Sequence, residues 1–255
     1  EAFRERGSRE FLSRMELEVD NLRAAIDWGA RRDPTLELPI LAYMLPFWST
    51  GRYMSEGRRW IELRLPQIKP ESTTPYADFL HGLGHLYWKQ GDFARAQNYT
   101  EESVTLWRHL ENPFRLGWTL NLLAGILMSR RDYTAARGVA EELLAIMRKL
   151  EKPYYMACAL RILSEVMTIL GNEPKAHALR AASVALLREV NNPLSMAQAL
   201  TELAKDALID DDVTLAGTHF ESVLDSVRHL NEPWMVAQTL VWLGRTTWRQ
   251  GDKAR

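Results

Sequence analysis

Leucines recur along the chain in a strict step of forty residues: Leu80, Leu120, Leu160, Leu200 and Leu240, then Leu83, Leu123, Leu163, Leu203 and Leu243. A small residue follows each second leucine, namely Gly84, Ala124, Ser164, Ala204 and Gly244. Leucines three apart beside a small residue form a stripe of helical period, and the small residue lets a second helix approach closely. Turn signals come next at Gly91-Asp92, Arg131-Asp132, Gly171-Asn172, Asp211-Asp212 and Gly251-Asp252. They supply a turn and the N-cap of a second helix. Alanine then recurs at Ala96, Ala136, Ala176 and Ala216. The second helix is expected to bury Ala96, Val104, Trp107 and Leu110 in one block, and Ala136, Leu144, Met147 and Leu150 in the next. Pro113, Pro153, Pro193 and Pro233 close the blocks, and each is expected to end its second helix and turn the chain. The pattern predicts helix throughout and no strand.

A single helical hairpin cannot bury both its faces, so such units are expected to stack side by side as a solenoid. The register reaches back in weaker form, since Trp48, Gly51 and Tyr53 stand forty residues before Trp88, Gly91 and Phe93. Residues 38–66 therefore predict a degenerate first hairpin, with Tyr43 and Met44 in place of Leu-Gly and a kink at Pro46. The segment before it, "SRMELEVDNLRAAIDWGARR", predicts an amphipathic helix burying Leu17, Leu22, Ala25, Ile26 and Trp28 and capping the N-terminal end. "KPESTTP" is the most linker-like stretch. The expected organisation is a capping helix and degenerate hairpin over 1–68, then repeats over 76–255. The repeats divide as 76–114, 115–154, 155–194, 195–234 and a partial 235–255. A start at Glu1 and a stop at "RQGDKAR", where a fifth second helix should begin, suggest a piece of a longer chain with further repeats following.

Charge narrows the function. The 32 lysines and arginines nearly balance the 33 aspartates and glutamates, so the basic footprint of a nucleic-acid binder is missing and no direct nucleic-acid contact is expected. One cysteine, Cys158, excludes an internal disulfide and thiolate zinc sites and fits a cytoplasmic setting. The longest apolar run, Leu38 to Trp48, is interrupted by Pro39 and Pro46 and is shorter than the roughly 20 residues of a membrane span. No signal peptide opens the chain, so no membrane partner is expected.

These columns resemble the tetratricopeptide repeat in its forty-residue bacterial variant. The leucines, the small Gly84 column, Tyr87, the turn glycines and the Ala96 column carry the likeness, strongest over 76–255. Leu127, Met167, Ala207 and Thr247 depart from the family's tyrosine, and Ser103, Leu143, Ser183 and Val223 from its later alanine. The resemblance implies an all-α, tetratricopeptide-like helical-hairpin solenoid, coiled as a right-handed superhelix. The N-terminal part resembles the segment that follows the nucleotide-binding core in bacterial signalling ATPases, including LuxR-type transcriptional regulators. Glu18, Asn21, Leu22, Arg23, Ala25 and Trp28 carry that likeness, with Trp48, Gly51, Glu56, Gly57, Arg58, Trp60 and Glu62 in the hairpin. It implies an upstream nucleotide-binding domain in the parent chain, and a repeat region that binds an effector or a protein partner. These residues themselves contain no phosphate loop, so no nucleotide cofactor is expected here.

In the family the first helix of each hairpin lines a concave groove. His81 and His85 lie one turn apart on such a helix, with Asp78 a turn earlier. No H-E-x-x-H pattern accompanies them and Asn121 and Gly125 follow in the next block, so they read as groove-lining residues rather than a metal site. The groove columns are His81, Asn121, Arg161 and Thr201, then His85, Glu165, Lys205 and Arg245, with Trp118, Gln198 and Gln238 a turn earlier. Arg161, Lys205 and Arg245 would follow one another at steps of about 10 Å and suit an acidic peptide or anionic effector. The alternative is a solvated polar face with internal pairs such as Arg161 and Glu165. Trp88, Trp248, Trp48 and Trp107 read as packing residues, and Trp118 and Trp242 as groove candidates. No catalytic constellation stands out, and Glu101-Glu102 and Glu141-Glu142 are expected to begin second helices and favour their dipoles. The expected function is a sensor or interaction region with no enzymatic role; the alternative is a constitutive scaffold recruiting a partner peptide.

Overall fold

A computed structural model of the chain describes residues 8–32, 34–49, 53–70, 72–190, 192–228 and 233–251. Among them the regular structure is helical, without strands. The helices are α1 (Ser8–Arg32), α2 (Pro34–Trp48), α3 (Met54–Arg64), α4 (Thr74–Lys89), α5 (Phe93–His109) and α6 (Pro113–Ser129). They continue as α7 (Tyr133–Lys149), α8 (Pro153–Ile169), α9 (Glu173–Leu187), α10 (Pro193–Ile209), α11 (Val213–Val227) and α12 (Pro233–Arg249). The chain divides into two compact units, Glu1–Ile146 and Met147–Arg255.

Local chemistry sets the helix ends. The Asp92, Asp132, Asn172 and Asp212 side chains accept hydrogen bonds from backbone N–H groups three residues on, at 3.0–3.3 Å. The residue before each cap is left-handed, with φ between 61° and 80° at Gly91, Arg131, Gly171 and Asp211. Glycine takes this conformation without steric cost; Arg131 and Asp211 hold it because the turn between the two helices demands it. Asp252 and Gly51 lie outside the described residues. The block-closing prolines act differently from expectation. Pro113, Pro153 and Pro193 are the first residues of α6, α8 and α10, while Glu111 and Glu151, at φ of 50° and 52°, end the helices before them. A proline lacks only the N–H that the first turn leaves unbonded, and Asn112 and Asn192 cap the N–H groups of Arg115 and Ser195.

In the first unit, α2 packs on α1, α3 and α4, and α4 packs on α5 and α6. Their shared core holds Met15, Ile26, Met44, Leu45, Trp48, Phe79, Leu83 and Ala96. In α1 the covered face is Met15, Val19, Leu22 and Ile26, with Ala25 at its edge. Leu17 and Trp28, expected inside, are 84% and 55% exposed. They lie on the opposite face, and a helix packed on one side buries only one stripe. Tyr43 also points outward, whereas Met44 is fully buried. The helix α2 runs unbroken through position 46, where a kink was expected.

The second helices bury Ala96, Thr100, Ser103 and Trp107 on α5. Leu110, Leu144 and Leu150, expected as core, are half-buried, and Leu143 is fully buried in their stead. Ala96, Val104, Trp107, Ala136 and Met147 are buried as the pattern predicts, so only the leucine positions at the edge of the stripe differ. Glu101 and Glu102 fall in the middle of α5, and Glu141 and Glu142 in the middle of α7, not at their starts. They make side-chain pairs instead: Gln97 donates to Glu101, Tyr76 to Glu102, Arg137 to Glu141 and Arg108 to Glu142. In the second unit α8 packs on α9, α9 on α10, α10 on α11 and α11 on α12.

Close packing gives two glycines opposite fates. A Cβ added at Gly57 would lie 2.4 Å from Trp48 Cβ and 2.7 Å from its Cγ, whereas one at Gly138, inside α7, meets nothing within 4 Å. Gly57→Ala should therefore cost about 1–3 kcal/mol through overpacking against a fully buried ring. Gly138→Ala should gain up to about 1 kcal/mol from helix propensity. Urea unfolding followed by circular dichroism measures both, and the opposite signs are the expected result.

Candidate functional site

Of the predicted groove residues of the first unit, His81 and Trp118 form a polar and aromatic cluster with Thr119, Arg115 and Asp78. His81 is buried, its Nδ1 lies 3.2 Å from Thr119 Oγ1, and its ring stacks on Trp118 at 3.7 Å between centroids. Arg115 covers Trp118 at 4.7 Å and pairs with Asp78 at 3.1 Å. His85, Trp118 and Asn121 are half-buried, and the His85 ring meets the edge of Trp88 at 6.1 Å. His81 thus packs between helices instead of lining a surface. The column pattern missed this because only the packing of α4 on α6 shows which side of the histidine is covered. Among the described residues no group of three or more His, Cys, Asp or Glu could hold a metal ion.

The second unit is open. Arg161 and Glu165 are exposed and face each other at 3.7 Å on α8. Gln198 and Gln238 are exposed and Thr201 is half-buried, its hydroxyl donating to the Ala197 carbonyl. Burial pushes the Cys158 thiol above its usual value, with Arg161 acting against the shift. Such a thiol lacks the lowered value of an activated nucleophile.

Lys205 and Arg245, from successive blocks, are brought together. They line a cleft of about 980 Å³ between the C-terminal halves of α10 and α12, with Leu208, Ile209, Val241, Trp242, Gly244, Trp248 and Arg249. Trp242 is its anchor. Its ring lies nearly parallel to Phe220, at 6° and 5.8 Å, and Phe220 is fully buried. The Lys205 ammonium approaches the Trp242 ring at 6.0 Å and the Arg245 guanidinium at 5.1 Å, within cation–π range. Lys205 is also paired with Glu202 at 2.7 Å, and Arg249 donates to the Leu208 carbonyl at 3.1 Å. Arg161 is not among the lining residues.

Leu208, Ile209, Val241 and Arg249 line the cleft without being expected there, and so does Trp248, expected as a packing residue. A signal for one of them existed. Val241 stands in the His81 column, a groove position, and Trp248 in the Trp88 column, a packing position. Trp88 does pack, donating its Nε1–H to Ser129 Oγ at 2.9 Å, whereas Trp248 is 65% exposed.

Residues 76–149 match the family model of the tetratricopeptide repeat. No curated protein matches the chain in sequence. Among solved structures it is similar to BtubC (BKLC) from P. vanneervenii, at 19% identity over 84% of this chain and 85% of that one, with a TM-score of 0.62. A Rap protein complexed with competence and sporulation factor shares 16% identity over 90% of this chain and 68% of its own, with a TM-score of 0.64. A signal transduction ATPase with numerous domains from Pyrococcus horikoshii, carrying a tetratricopeptide repeat sensor, shares 11% identity. That likeness covers 93% of this chain and 37% of the ATPase, with a TM-score of 0.69. At such identities the likeness concerns architecture: the chain has the fold of tetratricopeptide-like helical-repeat solenoids, with the repeat signature itself in residues 76–149.

Proposed function

We propose that this chain is the sensor or protein-interaction region of a bacterial signalling ATPase or transcriptional regulator, and that it holds a partner on the first helices of its repeats. The observation that carries the reading is the outward row of polar and basic residues on α8, α10 and α12, placed on helices whose other faces are buried. A row supplied by successive blocks reads an extended segment one block at a time. The P. horikoshii ATPase, whose repeats are described as a sensor, and the Rap protein bound to its factor support this role by analogy of architecture. In the parent chain, a partner binding one arrangement of the repeats better than another would shift their contacts with the nucleotide-binding domain.

The test is a displayed library of random peptides selected against the chain. Selection should enrich a peptide family, and Arg161→Glu with Lys205→Glu should weaken its binding by about tenfold or more, near 1.4 kcal/mol. The urea midpoint should stay unchanged, because Arg161 is exposed and Lys205 half-buried at the surface. No enrichment, or binding indifferent to the double substitution, overturns the reading.

A further inference from the structure

We infer that the junction between α9 and α10 is a latched joint within the second unit, which opens when Arg180 exchanges Asp206 for Glu173 as its carboxylate partner. This goes beyond partner binding and holds with or without a partner.

The joint is built from charge at columns that are neutral elsewhere in the array. Among the described residues, Arg180 and Asp206 are the only lysine, arginine, aspartate or glutamate residues that are buried. Forty residues on, the same two columns carry Phe220 and Thr246; forty and eighty residues back they carry Ala140 with Val166 and Thr100 with Ile126. The Arg180 guanidinium reaches from α9 to two other helices at once. It donates from Nη1 to Asp206 Oδ1 on α10 at 2.5 Å and from Nη2 to Thr168 Oγ1 on α8. This closed arrangement carries a desolvation cost: both charges are held out of water, and Asp206 Oδ2 is buried without a hydrogen-bond partner.

The open arrangement has its own partner in place. Glu173 lies two turns before Arg180 on the same helix, with its carboxylate 53% exposed and 3.9 Å from the guanidinium. When α10 moves away, Arg180 keeps a counter-charge that travels with it, and Asp206 gains water at both oxygens. Apolar burial on α10 resists this movement weakly. Its buried residues are Ala197, Ala199, Leu200, Ala204, Asp206 and Ala207, whereas α6 buries Leu120, Leu122, Leu123, Ile126 and Leu127. An alanine removes far less apolar surface from water than a leucine. Repeat arrays hold together through nearest-neighbour interfaces, so opening concentrates at the weakest of them.

Double electron–electron resonance on the full chain tests the joint. In a Cys158→Ser background, nitroxides are placed at Glu165→Cys on α8 and Ser222→Cys on α11. Both positions are exposed, and they flank the junction because α8 packs on α9 and α10 on α11. Two distance populations are expected, the longer one growing with urea below the unfolding transition. Arg180→Met with Asp206→Leu should shrink the longer population about tenfold or more, because an apolar junction gains nothing by opening to water. Glu173→Gln changes only a surface side chain and should shrink it about two- to fivefold, since the open arrangement alone relies on that carboxylate. A fixed structural ion pair predicts no effect of Glu173→Gln. A single distance at every urea concentration, a longer population that survives the apolar junction, or indifference to Glu173→Gln overturns the joint.

Discussion

Arg180→Met is expected to lower the stability of the second unit by about 3–5 kcal/mol, because it strands a buried carboxylate. Arg180 projects from α9 with its side chain only 10% exposed. It donates to Asp206 Oδ1 at 2.5 Å and to Thr168 Oγ1, with Glu173 at 3.9 Å. Asp206, on α10, is equally enclosed, and its Oδ2 already lacks a hydrogen-bond partner. Without the guanidinium, the carboxylate keeps its desolvation cost and loses its counter-charge. The columns that hold this pair carry Thr100 and Ile126 in the first unit, so the ionic arrangement is peculiar to one interface of the array. Arg180→Met combined with Asp206→Leu should therefore return stability to the parent level or above it. Urea unfolding read by circular dichroism gives the size of the loss, and amide exchange along α8, α9 and α10 locates it, since repeat arrays unfold in parts. A single substitution costing under about 1 kcal/mol would mean that water already reaches the pair.

The second large effect is expected at Trp107→Ala, about 3–5 kcal/mol from lost burial and the cavity left behind. Trp107 on α5 is fully buried, and its column continues as Met147, Leu187 and Val227, each no more than 4% exposed. The chain thus keeps one apolar anchor per second helix and varies only its size. Trp248→Ala should change stability by less than about 0.5 kcal/mol, since that ring lies at the surface. Tryptophan-to-alanine substitutions at the two sites therefore separate a packing residue from a surface one: only the first shifts the unfolding midpoint.

How far the candidate site could be read in advance differs residue by residue. Lys205 and Arg245 were singled out from column spacing, and both line the cleft. Spacing sufficed there because each stands on the exposed side of its helix and the helices are neighbours in the repeat. His81 was chosen by the same logic and is buried, since Trp118 and Thr119 of the next block close over it. The column was right about direction along the helix and silent about what comes to meet it. Trp28 failed for a related reason: α1 has apolar residues on two faces, and the pattern cannot say which of them a neighbour covers.

Helix, turn and cap were dictated by the residues themselves. A left-handed turn residue, an Asp or Asn accepting an N–H three residues on, and leucines at helical spacing all act within about one helical turn, so local chemistry decides them. The covered face of α1, the enclosure of His81 and the meeting of Lys205, Arg245 and Trp242 came from packing alone. Those outcomes depend on side chains roughly one repeat apart, whose approach distances no local interaction sets and whose burial is settled only when neighbouring helices exclude water from between them.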